Sequence, residues 1–116
     1  MDGCIFCKIA RNELTARVVY EDDTVVAFHD ISPQAPVHVL VIPREHYASF
    51  NDDVSPTVSA ALCTAVSKVA QLTGIAESGY RVIVNNGPDS NQTVPHLHVH
   101  VMGGRQMTHG MVRFAE

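Results

Sequence analysis

Residues Pro95-His96-Leu97-His98-Val99-His100-Val101 carry a histidine at every second position. Side chains alternate between the two faces of a β-strand, so the three imidazoles would share one face and the three aliphatic side chains the other. The alternation therefore predicts a strand with one face in an apolar core and a histidine-rich face toward a site.

The residues alone leave three interpretations of this histidine strand open. In the first interpretation, it is a histidine-rich edge strand whose outer face is solvated. In the second, its three imidazoles bind a catalytic zinc ion that carries a water molecule. In the third interpretation one imidazole is a nucleophile, because histidine is largely unprotonated near neutral pH and can attack a phosphorus centre. A neighbouring imidazole two residues away would then hydrogen-bond the phosphoryl oxygens.

The composition predicts one compact domain spanning residues 1–116. Of the 116 residues, 46% are hydrophobic and 17% charged, which is enough apolar material for a core. The formal charge is −4 and no block is strongly basic, which argues against a long nucleic acid or an anionic membrane as partner. No apolar run reaches the roughly 18 residues of a membrane span, and no secretory signal pattern is present, so we expect a cytoplasmic protein.

The rest of the chain predicts four further strands and two helices. The clearest helix begins at Ser55-Pro56, a capping residue followed by proline, and ends at Gly74. A short helical turn is predicted over residues 4–10. The predicted strands cover residues 17–20, 24–28, 38–42, 80–85 and 96–102, with the third stopped by Pro43. This order predicts an α+β fold, a five-stranded antiparallel sheet with one long helix and a short N-terminal helix.

The three cysteines do not predict a disulfide framework. Cys4-Ile5-Phe6-Cys7 is a Cys-x-x-Cys pair, and two such thiolates can bind one zinc ion. A redox dithiol and a pair of small buried residues remain as alternatives. Cys63 lies on the long helix beside its apolar stripe, and we expect it in the core.

Several blocks in order resemble one known family. The His-x-His-x-His strand, the segment Phe28-His29-Asp30-Ile31-Ser32-Pro33-Gln34-Ala35-Pro36 and the segment His38-Val39-Leu40-Val41-Ile42-Pro43 resemble the histidine triad (HIT) superfamily. They are most similar to the histidine triad nucleotide-binding proteins that hydrolyse nucleoside phosphoramidates. The resemblance covers residues 4 to about 107 and leaves 108–116 as a C-terminal tail.

The resemblance implies a two-step reaction on a nucleoside 5′-phosphoramidate. His98 would attack the α-phosphorus and form a nucleotidyl-histidine, which water cleaves to a nucleoside monophosphate. His100 would contact the phosphate oxygens and assist departure of the amine, and His38 would orient the ring of the nucleophile. His96 is the first histidine of the triad.

The resemblance also implies the substrate contacts. Asp30 matches the carboxylate that accepts hydrogen bonds from the ribose hydroxyls, and Asn85 and Thr93 match residues that contact phosphate. A purine base would lie in a pocket walled by six side chains. Without the resemblance, each of them would equally fit an ordinary core position. These are Phe28, His29, Ile31, Ile5, Phe6 and Leu14.

Some members of the superfamily carry the cysteine pair and complete a zinc site with two histidines. In this sequence the matching ligands are Cys4, Cys7, His46 and His96, which implies one structural zinc ion per chain, closed by four protein ligands. The branch also forms two-fold dimers with a continuous sheet, so we expect a homodimer. Two other functions stay open: a dinucleoside polyphosphate hydrolase, whose pattern has glutamine at the position of His100, and a purine-nucleotide binding or scaffold module with incidental turnover.

Overall fold

A computed structural model describes residues 3–115 of the chain. Met1, Asp2 and Glu116, which the predicted domain and tail include, lie outside the described residues. The described part contains two α-helices and five strands, joined by two short 3₁₀ turns. The helices are α1 (Ile5–Ala10) and α2 (Pro56–Leu72), the 3₁₀ turns are Phe50–Asp52 and Pro88–Ser90, and the strands are β1 (Val18–Glu21), β2 (Val25–His29), β3 (Val37–Pro43), β4 (Tyr80–Val84) and β5 (Val99–Gly103).

The five strands form one antiparallel sheet in the order β1-β2-β3-β5-β4, as the α+β prediction requires. The histidine strand β5 is therefore flanked on both sides, by β3 and by β4. His100 lies opposite Leu40 on β3 and Ile83 on β4. The next residue on that face, Met102, lies opposite His38 and Arg81. This register brings side chains from three strands together on one face.

Each face of the sheet has its own apolar cluster. Leu97, Val99 and Val101 are buried in the larger cluster, together with the apolar stripe of α2. On the opposite face Phe6 of α1 belongs to a smaller cluster with Leu40 and other apolar side chains of β2 and β3. The predicted apolar back of the histidine strand is confirmed, and the histidine side chains lie on the face that α1 covers.

Local capping explains where the two helices begin. The Ser55 hydroxyl accepts a hydrogen bond from the amide of Val58 at 3.2 Å, and Pro56 follows in the first turn. Cys4 caps α1 in the same way, because its sulfur accepts from the amide of Cys7 at 3.4 Å. Beyond α2, Gly74 adopts φ +79°, a left-handed conformation that glycine takes without strain.

Apart from shifts of one or two residues at the ends of elements, the structure departs from the sequence prediction at three places. Strand β5 begins at Val99 and not at residue 96, because the amide of Leu97 donates to the carbonyl of Tyr47 at 2.6 Å and so leaves the sheet ladder. Strand β3 extends through Pro43, which pairs with Val25. Cys63 is exposed and not part of the core, since it lies one position beyond the buried Leu62 on the helix. No helix within residues 3–115 is long and apolar enough to cross a membrane.

Candidate active site and metal cluster

The backbone carbonyl of His96 determines the tautomer of His98. His98 Nδ1 lies 2.7 Å from this oxygen, and a carbonyl only accepts hydrogen bonds, so Nδ1 carries the proton. In the neutral ring the other nitrogen, Nε2, then holds an unshared electron pair. His98 is buried but lines a cavity of about 760 Å³. This tautomer leaves Nε2 with the electron pair that a nucleophile needs.

A second hydrogen-bond chain sets the tautomer of His100. The amide N–H of Gln34 donates to His38 Nδ1 at 3.0 Å, so the proton of His38 lies on Nε2. His38 Nε2 then donates to His100 Nδ1, 2.9 Å away. This leaves the proton of His100 on Nε2, on a ring that lines the same cavity and whose centroid lies 5.0 Å from that of His98. His38 thus contacts His100 directly, whereas the hydrogen bond that orients His98 is to the carbonyl of His96.

Burial keeps both of these rings neutral. Burial, and to a smaller extent the neighbouring His98 and His38 rings, together lower the pKa of His100 to about 4. Burial also lowers the pKa of His38, although the Asp30 carboxylate, 3.5 Å away, acts in the opposite direction. A neutral imidazole is a hydrogen-bond donor but a very weak acid. The geometry therefore fits His100 as a donor to phosphoryl oxygens better than as the source of a proton for a departing amine.

The cavity beside these histidines brings together most of the predicted substrate residues. Its wall is mostly apolar, with Asp30 as its carboxylate. Phe6 stacks edge-on against His98, with centroids 5.2 Å apart, and Ile31 is 97% exposed at the mouth. Asn85 does not line the cavity; it follows β4 and is half-buried. The predicted residues that do line it are Ile5, Phe6, Leu14, Phe28, His29, Asp30, Ile31 and Thr93.

The cavity also contains residues that the sequence did not single out. Arg17 is the cation in its wall, and Thr15, Ile9 and Val94 line it as well. The carbonyl of Arg17 accepts a hydrogen bond from the amide of His29, which holds the start of β1 beside the end of β2. The pairing of β1 with β2 brings Arg17 to the cavity, and nothing in its local sequence signals it.

The four predicted metal ligands lie together at the opposite side of His98 from His100. Cys7 Sγ lies 3.2 Å from His46 Nδ1 and 3.4 Å from His96 Nδ1. Cys4 Sγ lies 3.3 Å from His96 Nδ1, which is 3.2 Å from His46 Nδ1. All four ligand atoms lie within 4.8 Å of one another.

These separations fit one tetrahedral ion. Zinc bonds of ordinary length place a sulfur and a nitrogen ligand about 3.5 Å apart and two nitrogens about 3.3 Å apart. The tautomer of His96 also fits, because its Nε2 donates to the Pro43 carbonyl at 2.9 Å and leaves Nδ1 free to bind a metal. Burial and a hydrogen bond with Cys4 raise the pKa of the Cys7 thiol, so a bound metal would have to displace a proton.

The three histidines of the motif do not converge on one ion. His96 Nδ1 faces the two thiols, whereas His98 Nε2 is left for the cavity, so the three-imidazole zinc interpretation is wrong. Asp30, His38 and His100 also place ligand atoms within 4.8 Å of one another. The hydrogen bond from the amide of Gln34 to His38 Nδ1 keeps a proton on His38 Nε2. We therefore interpret Asp30, His38 and His100 as a hydrogen-bonded group and not as a metal site.

Comparison with known proteins agrees with this geometry. The HIT domain family matches residues 11–107. The chain therefore belongs to the HIT family. A purine nucleoside phosphoramidase of Escherichia coli K12 is 47% identical over 106 residues, covering 89% of this chain and 88% of that protein. An Azospirillum brasilense HIT-like protein of 13.2 kDa is 45% identical over 106 residues, covering 89% and 87%.

Solved HIT structures share the fold over nearly the whole chain. A HIT family hydrolase from Legionella pneumophila superposes with a TM-score of 0.87 at 45% identity, covering 92% of this chain and 97% of its own. A HIT family hydrolase from Clostridium thermocellum gives a TM-score of 0.91 at 43% identity, covering 97% and 99%. Membership of this family supports a nucleotide hydrolase with the HIT fold.

Proposed function

We propose that this HIT protein hydrolyses purine nucleoside 5′-phosphoramidates to nucleoside monophosphates. The observation that carries the proposal is the hydrogen bond from His98 Nδ1 to the His96 carbonyl, which leaves an electron pair on Nε2, in a ring that lines the same cavity as Asp30. The 47% identity to a protein named purine nucleoside phosphoramidase supports this substrate class. The phosphorus–nitrogen bond is the bond we expect to break.

The reaction follows from the two tautomers. His98 Nε2 forms a bond to the α-phosphorus as the phosphorus–nitrogen bond breaks, and the amine keeps the electron pair and takes a proton from solvent. His100 Nε2–H donates to a phosphoryl oxygen and stabilises the charge that develops there. In the second step water attacks phosphorus, the electron pair returns to His98 Nε2 and the proton of the water is released. The nucleoside monophosphate is the product.

The nucleoside half of the substrate would lie in the cavity. Asp30 Oδ1 accepts from the amide of Ser32 at 2.8 Å, which orients the carboxylate and leaves lone pairs for the ribose hydroxyls. Phe28, Ile31 and the other apolar wall residues would bury the faces of a purine. Thr93, which also lines the cavity, would hydrogen-bond the phosphate.

We propose that Cys4, Cys7, His46 and His96 bind one structural zinc ion per chain. Their separations and the free Nδ1 of His96 support a four-ligand site. Bound there, the metal would supply a rigid crosslink between α1, the segment after β3 and the segment before β5. His96 would then be held at its ring by the metal while its carbonyl oxygen orients His98.

We also propose a homodimer in which β4 pairs with its counterpart in a second copy. Strand β4 lies at one edge of the sheet, and its residues Tyr80 and Val82 are 38% and 45% exposed. Leu72, at the end of the helix, is also exposed. Pairing of two such edges would satisfy their backbone groups and cover these side chains.

The test of the activity compares hydrolysis of adenosine 5′-phosphoramidate by the wild-type protein, His98→Ala and the control His109→Ala. His109 is an exposed residue of the tail. We expect release of AMP to be lost in His98→Ala and unchanged in the control. Diadenosine polyphosphates cleaved orders of magnitude faster than phosphoramidates would reassign the substrate. Tight nucleotide binding without turnover would favour the binding-module alternative.

A further inference from the structure

Arg17, the cation in the wall of the cavity, takes no part in the proposed reaction. Among the hydrogen bonds and ion pairs that join residues 3–115, none involves its guanidinium group. Arg11 and Arg44, by contrast, each bind a neighbouring glutamate. The N–H donors of Arg17 are therefore available to a molecule bound in the cavity.

The register of the sheet places Arg17 at the far end of the cavity from the histidines. One row across β1, β2, β3 and β5 consists of Val18, Phe28, Leu40 and His100. Arg17 precedes Val18, and the cavity is lined between the two ends of the row by Phe28 and Leu40. Three strand spacings of about 4.8 Å separate the backbone of β1 from that of β5 by about 14 Å. The cavity thus runs across the sheet from the histidines to Arg17.

A nucleoside monophosphate fits this length in one order. Its α-phosphorus would lie at His98 and His100, and its ribose at Asp30. Asp30 follows directly after β2, and the amide of His29, the last residue of β2, donates to the carbonyl of Arg17 at 3.0 Å. The base would therefore lie beyond the ribose, at the end of the cavity where Arg17 is.

A guanidinium group distinguishes the two purines by the edge of the ring. Guanine presents two neighbouring acceptors, O6 and N7, which can accept two parallel hydrogen bonds from one arginine. Adenine presents the acceptor N7 beside an amino group, so one N–H of the arginine would face another donor. The apolar side chains that would cover the faces of the base make no such distinction.

We propose that Arg17 binds O6 and N7 of guanine and makes the site selective for guanosine over adenosine substrates. The inference rests on the proposed function and names the base within its substrate class. Arg17 is a specificity-determining residue that contacts the base and takes no part in bond breaking. Because Arg17 is exposed, competition with water keeps the preference at the low end of what a paired arginine–guanine contact gives, about tenfold.

The experiment compares kcat/KM for four nucleoside 5′-phosphoramidates that differ only in the base. Guanosine and inosine both present O6 and N7, whereas adenosine has an amino group in place of O6 and 7-deazaguanosine lacks N7. For the wild-type protein we expect guanosine to exceed adenosine by about tenfold and inosine to stay close to guanosine. The 7-deazaguanosine substrate should be several-fold poorer than guanosine.

Variants assign this preference to one side chain. Arg17→Ala should bring the guanosine-to-adenosine ratio near one, and Arg17→Lys should retain part of it, because an ammonium group can still donate to O6 or N7. The matched control is Arg11→Ala, which removes an exposed guanidinium that binds Glu13 and does not line the cavity. Its ratio should equal that of the wild type. Calorimetric titration with GMP and AMP makes the same comparison without hydrolysis.

The inference is wrong if the guanosine-to-adenosine ratio of the wild type is near one, or if Arg17→Ala retains the preference. An equal loss on both bases in Arg17→Ala would also contradict it, because the guanidinium would then stack on either ring or contact the phosphate. Failure of the proposed function gives a different result. No phosphoramidate would be hydrolysed, while a preference for GMP that depends on Arg17 in the titration would still support the recognition of guanine.

Discussion

Acid should destabilise this protein through His100, and His100→Gln should remove part of that effect. The pKa of His100 is lowered from 6.5 to about 4 by burial and by the neighbouring imidazoles. Between these two values the unfolded chain binds a proton that the folded chain excludes, so stability falls as the pH falls. A shift of this size is worth about 3 kcal/mol in total, of which about 2 kcal/mol is lost between pH 7 and pH 5.

Guanidinium unfolding at pH 7 and pH 5, with zinc added in excess, measures this difference. We expect the wild-type protein to lose about 2 kcal/mol more than His100→Gln over this interval. His109→Gln is the matched control, because it removes an exposed histidine of the tail, and its loss should equal that of the wild type. Equal losses in the wild type and His100→Gln would refute the assignment of the acid effect to this ring.

Three further predictions concern the core, the metal and the ribose. Leu97→Ala should lower the free energy of unfolding by about 2–5 kcal/mol in denaturant titrations, because a fully buried side chain would leave a cavity. Cys7→Ser should lower metal content from about one zinc per chain and lower the Tm, whereas Cys63→Ser should change neither. Asp30→Asn should lower kcat/KM about tenfold for the ribonucleoside substrate and little for its 2′,3′-dideoxy analogue.

Much of the fold was predictable because its strands and long helix carry clear periodic patterns. The helix that begins at Ser55-Pro56 has a capping residue, a proline and an apolar stripe, and the structure confirms it as Pro56–Leu72. The start of β5 was predicted three residues too early. Alternation along residues 96–101 continues outside the sheet, since the amide of Leu97 bonds to Tyr47 and not to a neighbouring strand.

The sequence predicted which residues form the candidate site better than it predicted the hydrogen bonds between them. The alternation of the triad and the family resemblance singled out the histidines, Asp30 and the four Cys and His residues that the structure brings together. The tautomers depend on backbone groups, the carbonyl of His96 and the amide of Gln34, and no side-chain motif encodes these. Arg17 enters the cavity only through tertiary pairing of strands, which a local pattern does not reveal.

His96 takes part in both the Cys and His cluster and the histidine site beside the cavity. Its ring Nδ1 is directed at the thiols, and its carbonyl oxygen accepts the proton of His98 Nδ1. The ring of Phe6, which lies between the two cysteines in sequence, also contacts both of these histidines, with centroids 6.0 and 5.2 Å away. The packing that positions the Cys and His cluster therefore also positions the ring of His98.

The identity of the nucleophile is tested most directly by trapping the intermediate. The protein is mixed with adenosine 5′-phosphoramidate, quenched with base within the first turnover to preserve the phosphorus–nitrogen bond, and digested for mass spectrometry. The account predicts an adenylyl group on the peptide that contains His98, and no such adduct in His98→Ala. An adduct on His100 or on another residue, or undiminished AMP release by His98→Ala, would contradict it.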